Sequence, residues 1–276
     1  MRSGWWQHRA ARRGLLLVAA LTVLALAAPL LAPYDPAAQP DVVGGQLLPP
    51  SWEHPLGTDL FSRDVLSRLL YGARVSLSIA GLATLVALTV GTLVGLAAGF
   101  GSPGVDAVLM RLVDAGLAFP RMFLLLLVLA LWEGASTAAL IVVLGLTSWL
   151  PTSRLVRAEV LSVRQRDYVL AARALGLEPW RIVARHVLPN VAPPILVSAA
   201  LGVGQIVLIE AGLSFLGVGV PPPTPSWGNM IADGQHYLTR APWLAAAPGA
   251  ALGLTVVSLS LVAEAMQDAL DPRATT

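Results

Sequence analysis

Glu210 stands inside an apolar run, VGQIVLIEAGLSFLG, with Gln205 and Ser198 a few turns ahead of it. A carboxylate in such a run is costly unless it faces a cavity, a partner or hydrogen-bond donors. Two roles fit: lining or gating a pathway together with Gln205 and Ser198, or a hydrogen bond that holds helix ends together. Bond-making chemistry finds little support. Ser214 in GLSFLG lacks the nucleophile-elbow pattern and has no plausible base. His8, His54, His186 and His236 are scattered without ligand spacing, and there is no cysteine, so no metal site is expected. All 18 basic residues are Arg, which excludes the phosphate-reaching lysine of a P-loop and a Schiff-base lysine. No catalytic residue and no cofactor of its own are expected in this chain.

The second constellation is DYVLAARALGLEPWRIVARHVLPN, Asp167–Asn190, a charged passage in an oily chain. Asp167 can cap a helix beginning at Tyr168. Tyr168, Ala171, Ala172 and Leu175 then share one stripe, and Gly176 suits a helix end with positive φ. Pro179 fits the first turn of a second helix. Trp180, Val183 and Val187 continue the apolar stripe there, Arg181 and Arg185 face elsewhere, and Leu188-Pro189 ends it. A DNA-reading helix-turn-helix has similar spacing but would not be tethered between membrane spans. A solvated loop needs neither an Ala-Ala face nor a tryptophan. A compact knob that docks in a groove of a soluble partner fits best.

The elements that must position these residues are membrane helices. The 276 residues are 56% hydrophobic and 12% charged, with mean hydropathy +0.71, against about 25% charged in soluble domains. The apolar runs are long and continuous, which favours helices over a β-barrel. An all-α bundle of about six spans is expected: Gly14–Ala32, Val75–Phe100, Val113–Leu131, Ala138–Leu150, Pro193–Leu213 and Pro242–Met266. The first could alternatively be a signal peptide, but it outlasts the usual apolar core of one. Gly91, Gly95 and Gly99 give the second span a small-residue face for close helix approach, or make it merely glycine-rich. Pro120 should kink the third span or mark its true start. Thr58 or Asp59 is the expected cap of an interfacial helix ahead of span two. Arg111 and Asp114 read as a solvated surface pair. PPPTPSWGN, Pro221–Asn229, reads as a stiff connector with Trp227 at the interface, a contact for a soluble protein or simply a loop. Arg counts place the N-terminus, the insert and, with six spans, the C-terminus in the cytoplasm.

The insert resembles the EAA loop of ABC-importer permeases: Glu-Ala-Ala, three residues, Gly, nine residues, Ile-x-Leu-Pro. Here Leu170-Ala171-Ala172, Gly176 and His186-Val187-Leu188-Pro189 stand in register, with Leu170 replacing the Glu and His186 the Ile. HPLGTDLFSRDVLSRLLYGARVSL (His54–Leu77), LAFP (Leu117–Pro120), EAGLSFLGVGVPPPTPSWGNM (Glu210–Met230) and DALDPR (Asp268–Arg273) are similar to the C-type permeases of the dipeptide, oligopeptide and nickel branch. The resemblance implies a MetI-like permease fold with an extra N-terminal span. Residues 1–57 would hold the tail, first span and outer loop; residues 58–276 would form the permease domain, with the coupling loop at 153–192.

It further implies half of a translocation pathway in a bacterial or archaeal inner membrane, most readily for di- or oligopeptides. The partners would be a homologous second permease, ATPase subunits that carry ATP and Mg, an extracytoplasmic substrate-binding protein and membrane lipid, with no nucleic acid. Asp167, Tyr168, Leu170, Ala171, Ala172, Arg173, Leu175, Gly176, Leu188 and Pro189 would couple to the ATPase. The alternative is a non-ABC membrane protein, a secondary carrier or a scaffold. A carrier should show repeated halves, and no convincing repeat is present.

Overall fold

A computed structural model describes residues 9–132 and 136–270. His8, Arg2 and the DPR end of the DALDPR motif lie outside the described residues. Among the described residues the regular elements are helices, plus one isolated bridge between Thr58 and Asp64. They are α1 (Arg9–Leu26), α2 (Ala28–Leu31), α3 (Val65–Phe100), α4 (Pro103–Leu117), α5 (Arg121–Leu131) and α6 (Thr137–Val163). Then come α7 (Asp167–Ala174), α8 (Pro179–Ile182), a π turn (Val183–Val187), α9 (Leu188–Phe215), α10 (Trp227–Gly234), a 3-10 turn (Gln235–Tyr237) and α11 (Trp243–Leu270). Four of these continuous stretches, based on α3, α6, α8–α9 and α11, are long and apolar enough to cross a membrane. The α4–α5 pair, bent by 81°, makes up to a fifth. α1 carries Arg9, Arg12 and Arg13 in its first turns, so only its later part is continuously apolar.

Several expected boundaries move. The interfacial helix and span two are one helix: α3 is capped by Asp64, whose side chain accepts from Ser67 N, and not by Thr58 or Asp59. Nothing between Leu70 and Val75 breaks a helix. Its 36 residues rise about 54 Å at ~1.5 Å each, well beyond the ~30 Å hydrocarbon core, so one end projects from the apolar slab. Span four is too short for a crossing as first bounded and extends through the flanking Ser and Thr residues and on to Val163, because Pro151 lies inside α6 without ending it. Thr147, Ser148 and Thr152 bond back onto carbonyls of their own helix, as side chains around a membrane-helix proline commonly do. Pro120 is the N-cap of α5 and marks its start.

The α3–α6 contact is the most extensive in the bundle, and its cause is the glycine face. A Cβ on Gly91, Gly95 or Gly99 would come within 2.7, 2.6 and 2.7 Å of Thr152, Val156 and Val160 respectively. Gly145 of α6 answers from the other side, where a Cβ would meet Val86 at 2.7 Å. Lipid supplies no hydrophobic drive for association, so this contact depends on backbones approaching closely.

Two apolar cores stack along the bundle. One joins α3, α5, α6 and α9 through Ile79, Leu125, Leu144, Ile206 and Leu213. The other lies at the opposite end, where Val156, Val160 and Val163 of α6 meet Val169 of α7, Ile182 of α8 and Val191 of α9. The loop before α3 folds against α10 and α11 through Leu47, Val65, Met230 and Leu244. A charge cluster, buried at Asp59, Arg63 and Arg68 and open to one side at Asp233, locks it. Arg63 donates Nε–H to Asp59 Oδ2 at 2.6 Å, and Arg68 Nε lies 3.4 Å from the same oxygen. Both arginines approach Asp233 of α10, at 3.5 and 3.6 Å. Burial pushes the Asp233 carboxyl up, and Arg68 and Arg63 pull it back towards ionisation.

Candidate functional site

The Asp167–Asn190 insert is a compact knob seated on the second core. α7 begins at Asp167, but Arg166 is the N-cap residue and Asp167 makes no capping bond. Asp167 instead occupies the first turn, where a carboxylate faces the positive helix end. Of the expected docking stripe, Tyr168, Ala171 and Leu175 are exposed, as is Trp180, Leu175 to 80%, while Ala172 turns inward and is buried with Val169. The spacing of three and four residues is satisfied by both faces, and the neighbouring valines of α6 select Val169. Complete burial of such a side chain stabilises by roughly 1.5–3 kcal/mol. Leu170 is 49% exposed, so the position that differs from the EAA pattern points into solvent.

The turn after α7 is fully satisfied. Gly176 has φ +76° and donates to Arg173 O at 2.9 Å, and Leu177 N donates to Ala172 O at 3.1 Å. These are the two bonds of a Schellman motif. Leu177 completes it by packing on the same core as Ala172. A Cβ on Gly176 would meet nothing within 4 Å, so the glycine is required by backbone conformation and not by crowding.

One arginine of the knob and two from the end of α6 that leads into it tie this part of the chain to α3 and α4. Arg173 lies over the Phe100 ring at 4.8 Å, Arg164 donates to Gly99 O at 2.8 Å, and Arg157 pairs twice with Asp106 of α4, once at 2.6 Å. Asp114 pairs with Arg154 and not, as expected, with Arg111; the long reach from α6 brings the guanidinium to it. Trp180 donates Nε1–H to Glu178 at 2.7 Å while Arg181 lies over its ring at 5.3 Å. The ring is thus exposed yet held.

Leu188-Pro189 does not end the second helix. α8, the π turn and α9 run on as a single apolar stretch, Pro179–Phe215. Leu188 N donates to Val183 O, the wider i to i−5 bond, immediately before the proline that lacks a donor. Asn190 Nδ2 donates to His186 O at 2.8 Å. Pro193 and Pro194, expected at the start of span five, also lie inside α9. The knob is consequently continuous with the long apolar helix α9.

The polar residues of α9 separate into two places. Glu210 is fully buried and accepts from Ser76 Oγ of α3 at 3.0 Å and from Ser214 Oγ at 2.7 Å. Ser76 accepts in turn from Trp227 N, and Ser214 from Val220 N, both at 3.2 Å. Glu210 thereby ties α3, α9, the following loop and α10 together, the helix-end role. Trp227 is not at an interface: it is 1% exposed, it opens α10 behind a Ser226–Asn229 capping box, and its indole donates to Leu69 O. Close fit at Gly228 explains the burial, because a Cβ there would lie 2.6 Å from Ala211 Cα.

Ser198 and Gln205 line a cavity of about 290 Å³ between α3, α6 and α9, and Glu210 is not among its lining residues. The sequence reading missed Arg121, which enters this cavity from the start of α5 and donates to Ser148 Oγ. It was hidden because an arginine beside a proline at a helix start reads as an ordinary surface charge.

The inner-membrane-component model of binding-protein-dependent transport systems matches residues 88–276, and that of the N-terminal membrane domain of oligopeptide transport permease C matches residues 5–50. The chain is 39% identical over 280 residues to the di/tripeptide transport system permease protein DppC of Pseudomonas aeruginosa, covering 98% of this chain and 91% of that protein. It is 36% identical over 260 residues to the dipeptide transport system permease protein DppC of Alkalihalophilus pseudofirmus, covering 94% and 84%. Two-thirds of the chain under one model, and relatives aligned almost end to end, leave a single conclusion: the chain belongs to the family of binding-protein-dependent transport system inner membrane components.

Proposed function

We propose that the chain is one permease subunit of an ATP-driven importer of di- and oligopeptides, and that α7, Gly176 and α8 form the surface through which ATPase subunits drive it. The observation that carries this reading is the knob itself: a rigid two-helix body with an apolar inner face buried on α3 and α6 and an exposed outer face of Tyr168, Ala171, Leu175 and Trp180. An exposed apolar patch rimmed by charge is a protein-docking feature. The relatives' names specify dipeptide and di/tripeptide transport, and that cargo class is carried over here. ATP and Mg belong to the partner subunits; this chain's part is mechanical. A two-state bundle is shifted by whatever binds one state better. The continuous helix from α8 through α9 gives the docked surface a direct lever on the pathway.

A homologous second permease completes the pathway, an extracytoplasmic binding protein delivers the peptide, and lipid surrounds the bundle. The knob and both termini face the cytoplasm, and the loops before α3 and around α10 face outward. The test is co-purification of tagged chain with its ATPase subunits, followed by reconstitution with the binding protein. Peptide-dependent stimulation of ATP hydrolysis, coupled to uptake, is the expected result. Co-purification without stimulation would indicate a scaffold, and uptake driven by an ion gradient without ATP would indicate a secondary carrier.

A further inference from the structure

The cavity between α3, α6 and α9 holds polar groups that make no hydrogen bond among the described residues. Thr84, at the middle of α3, is 5% exposed, and neither its hydroxyl nor Nε of Arg121 has a partner among the described residues. The acceptors that Arg121 does reach are neutral: Ser148 Oγ and, at 3.5 Å, Leu144 O. Among the described residues no carboxylate lies within ion-pair distance of it. A guanidinium in a membrane bundle is expensive and ordinarily faces a partner or an aqueous path. Here the buried Thr84 hydroxyl and the cavity-lining Gln205 and Ser198 surround the same space, and Leu88, Leu155 and Ile206 supply its apolar walls. An anion with planar acceptors suits this set of donors, because a guanidinium fork fits it better than any other side chain does. The volume, about 290 Å³, is near the lower end of small-ligand pockets, roughly 300–1,000 Å³, suited to one end of a short peptide.

We infer that Arg121 is a carboxylate receptor within the translocation cavity, on which the free C-terminal carboxylate of a passing peptide docks with Thr84 as a second donor. This rests on the peptide-import reading above. A single neutral-walled cation gives a peptide a way-station: it compensates the carboxylate's lost hydration, and without a built-in counter-charge it holds the anion only while the peptide is present. Anionic lipid headgroups share the charge, so the test is run in phosphatidylcholine alone.

The experiment uses the assembled complex with its ATPase and permease partners and binding protein. The chain has no cysteine, so Ser198→Cys introduces a single thiol into it. Its labelling is followed by mass on this chain with anionic sulfonatoethyl and cationic trimethylammonioethyl methanethiosulfonates, relative to a free thiol. With Arg121 present the anionic reagent should be favoured about tenfold. Arg121→Gln should abolish that preference and Arg121→Lys should keep it, a distinction that a purely structural tie to Ser148 would not produce. A dipeptide with a free C-terminus should protect the thiol, its C-terminal amide should not, and Arg121→Gln should lose the protection and at least tenfold of uptake rate at saturating binding protein. Unchanged reagent preference in Arg121→Gln, or equal protection by the amide, would overturn the inference. If the anionic preference depends on Arg121 but the complex imports no peptide, the anion site stands and the peptide reading fails.

Discussion

Gly176 is the residue on which the knob's geometry turns. Its φ of +76° lies where an ordinary L-residue costs roughly 1–2 kcal/mol, and a β-branched one is a more severe outlier. Since space around it is open, Gly176→Asn should retain uptake, while Gly176→Val should reduce uptake more than fivefold with ATP hydrolysis continuing. Equal uptake by the two variants in reconstituted vesicles would remove the coupling role from this turn. Glu210 makes a different expectation. Glu210→Gln preserves acceptors and donors for Ser76 and Ser214, so assembly should survive. Glu210→Ala leaves the hydroxyl protons of Ser76 and Ser214 without their buried acceptor, a loss of about 1–3 kcal/mol, which thermal unfolding of the purified complex would read. Gly176 was legible because positive φ has a strong residue signature. The partners of Glu210 were not, because Ser76 is far away in sequence and serines in apolar helices carry no periodic signal.

At the scale of elements, one expectation concerns the α3–α6 contact. Gly95→Leu places a side chain where even a Cβ would be 2.6 Å from Val156. The helices must separate, and the complex should lose stability by several degrees or fail to assemble. The same change at Gly104, where a Cβ meets nothing within 4 Å, should be silent; similar losses at both positions would deny the glycine face its packing role. The helix identities were readable from apolar runs, but their ends were not. Proline was the unreliable signal: Pro120 does start α5, whereas Pro151, Pro189, Pro193 and Pro194 lie within or at the first turn of helices that continue. In water a proline usually ends a helix. In an apolar bundle the freed carbonyls cannot turn to solvent, so side-chain bonds and a π turn keep the helix going. Likewise the buried face of α7 could not be chosen from spacing, since the choice was made by valines on α6.

For the molecule as a whole, the continuous helix from Pro179 to Phe215 joins the exposed knob to the cavity that holds Ser198 and Gln205. Where the knob lies and what covers it therefore decide how the bundle is driven. The direct measurement is labelling of Leu175→Cys, the most exposed large apolar side chain of α7 and its cap, by a membrane-impermeant maleimide. The thiol should be silent in intact cells, reactive in inside-out vesicles stripped of ATPase subunits, and shielded when those subunits are restored. Labelling from outside intact cells, or equal labelling with and without the ATPase, would contradict it.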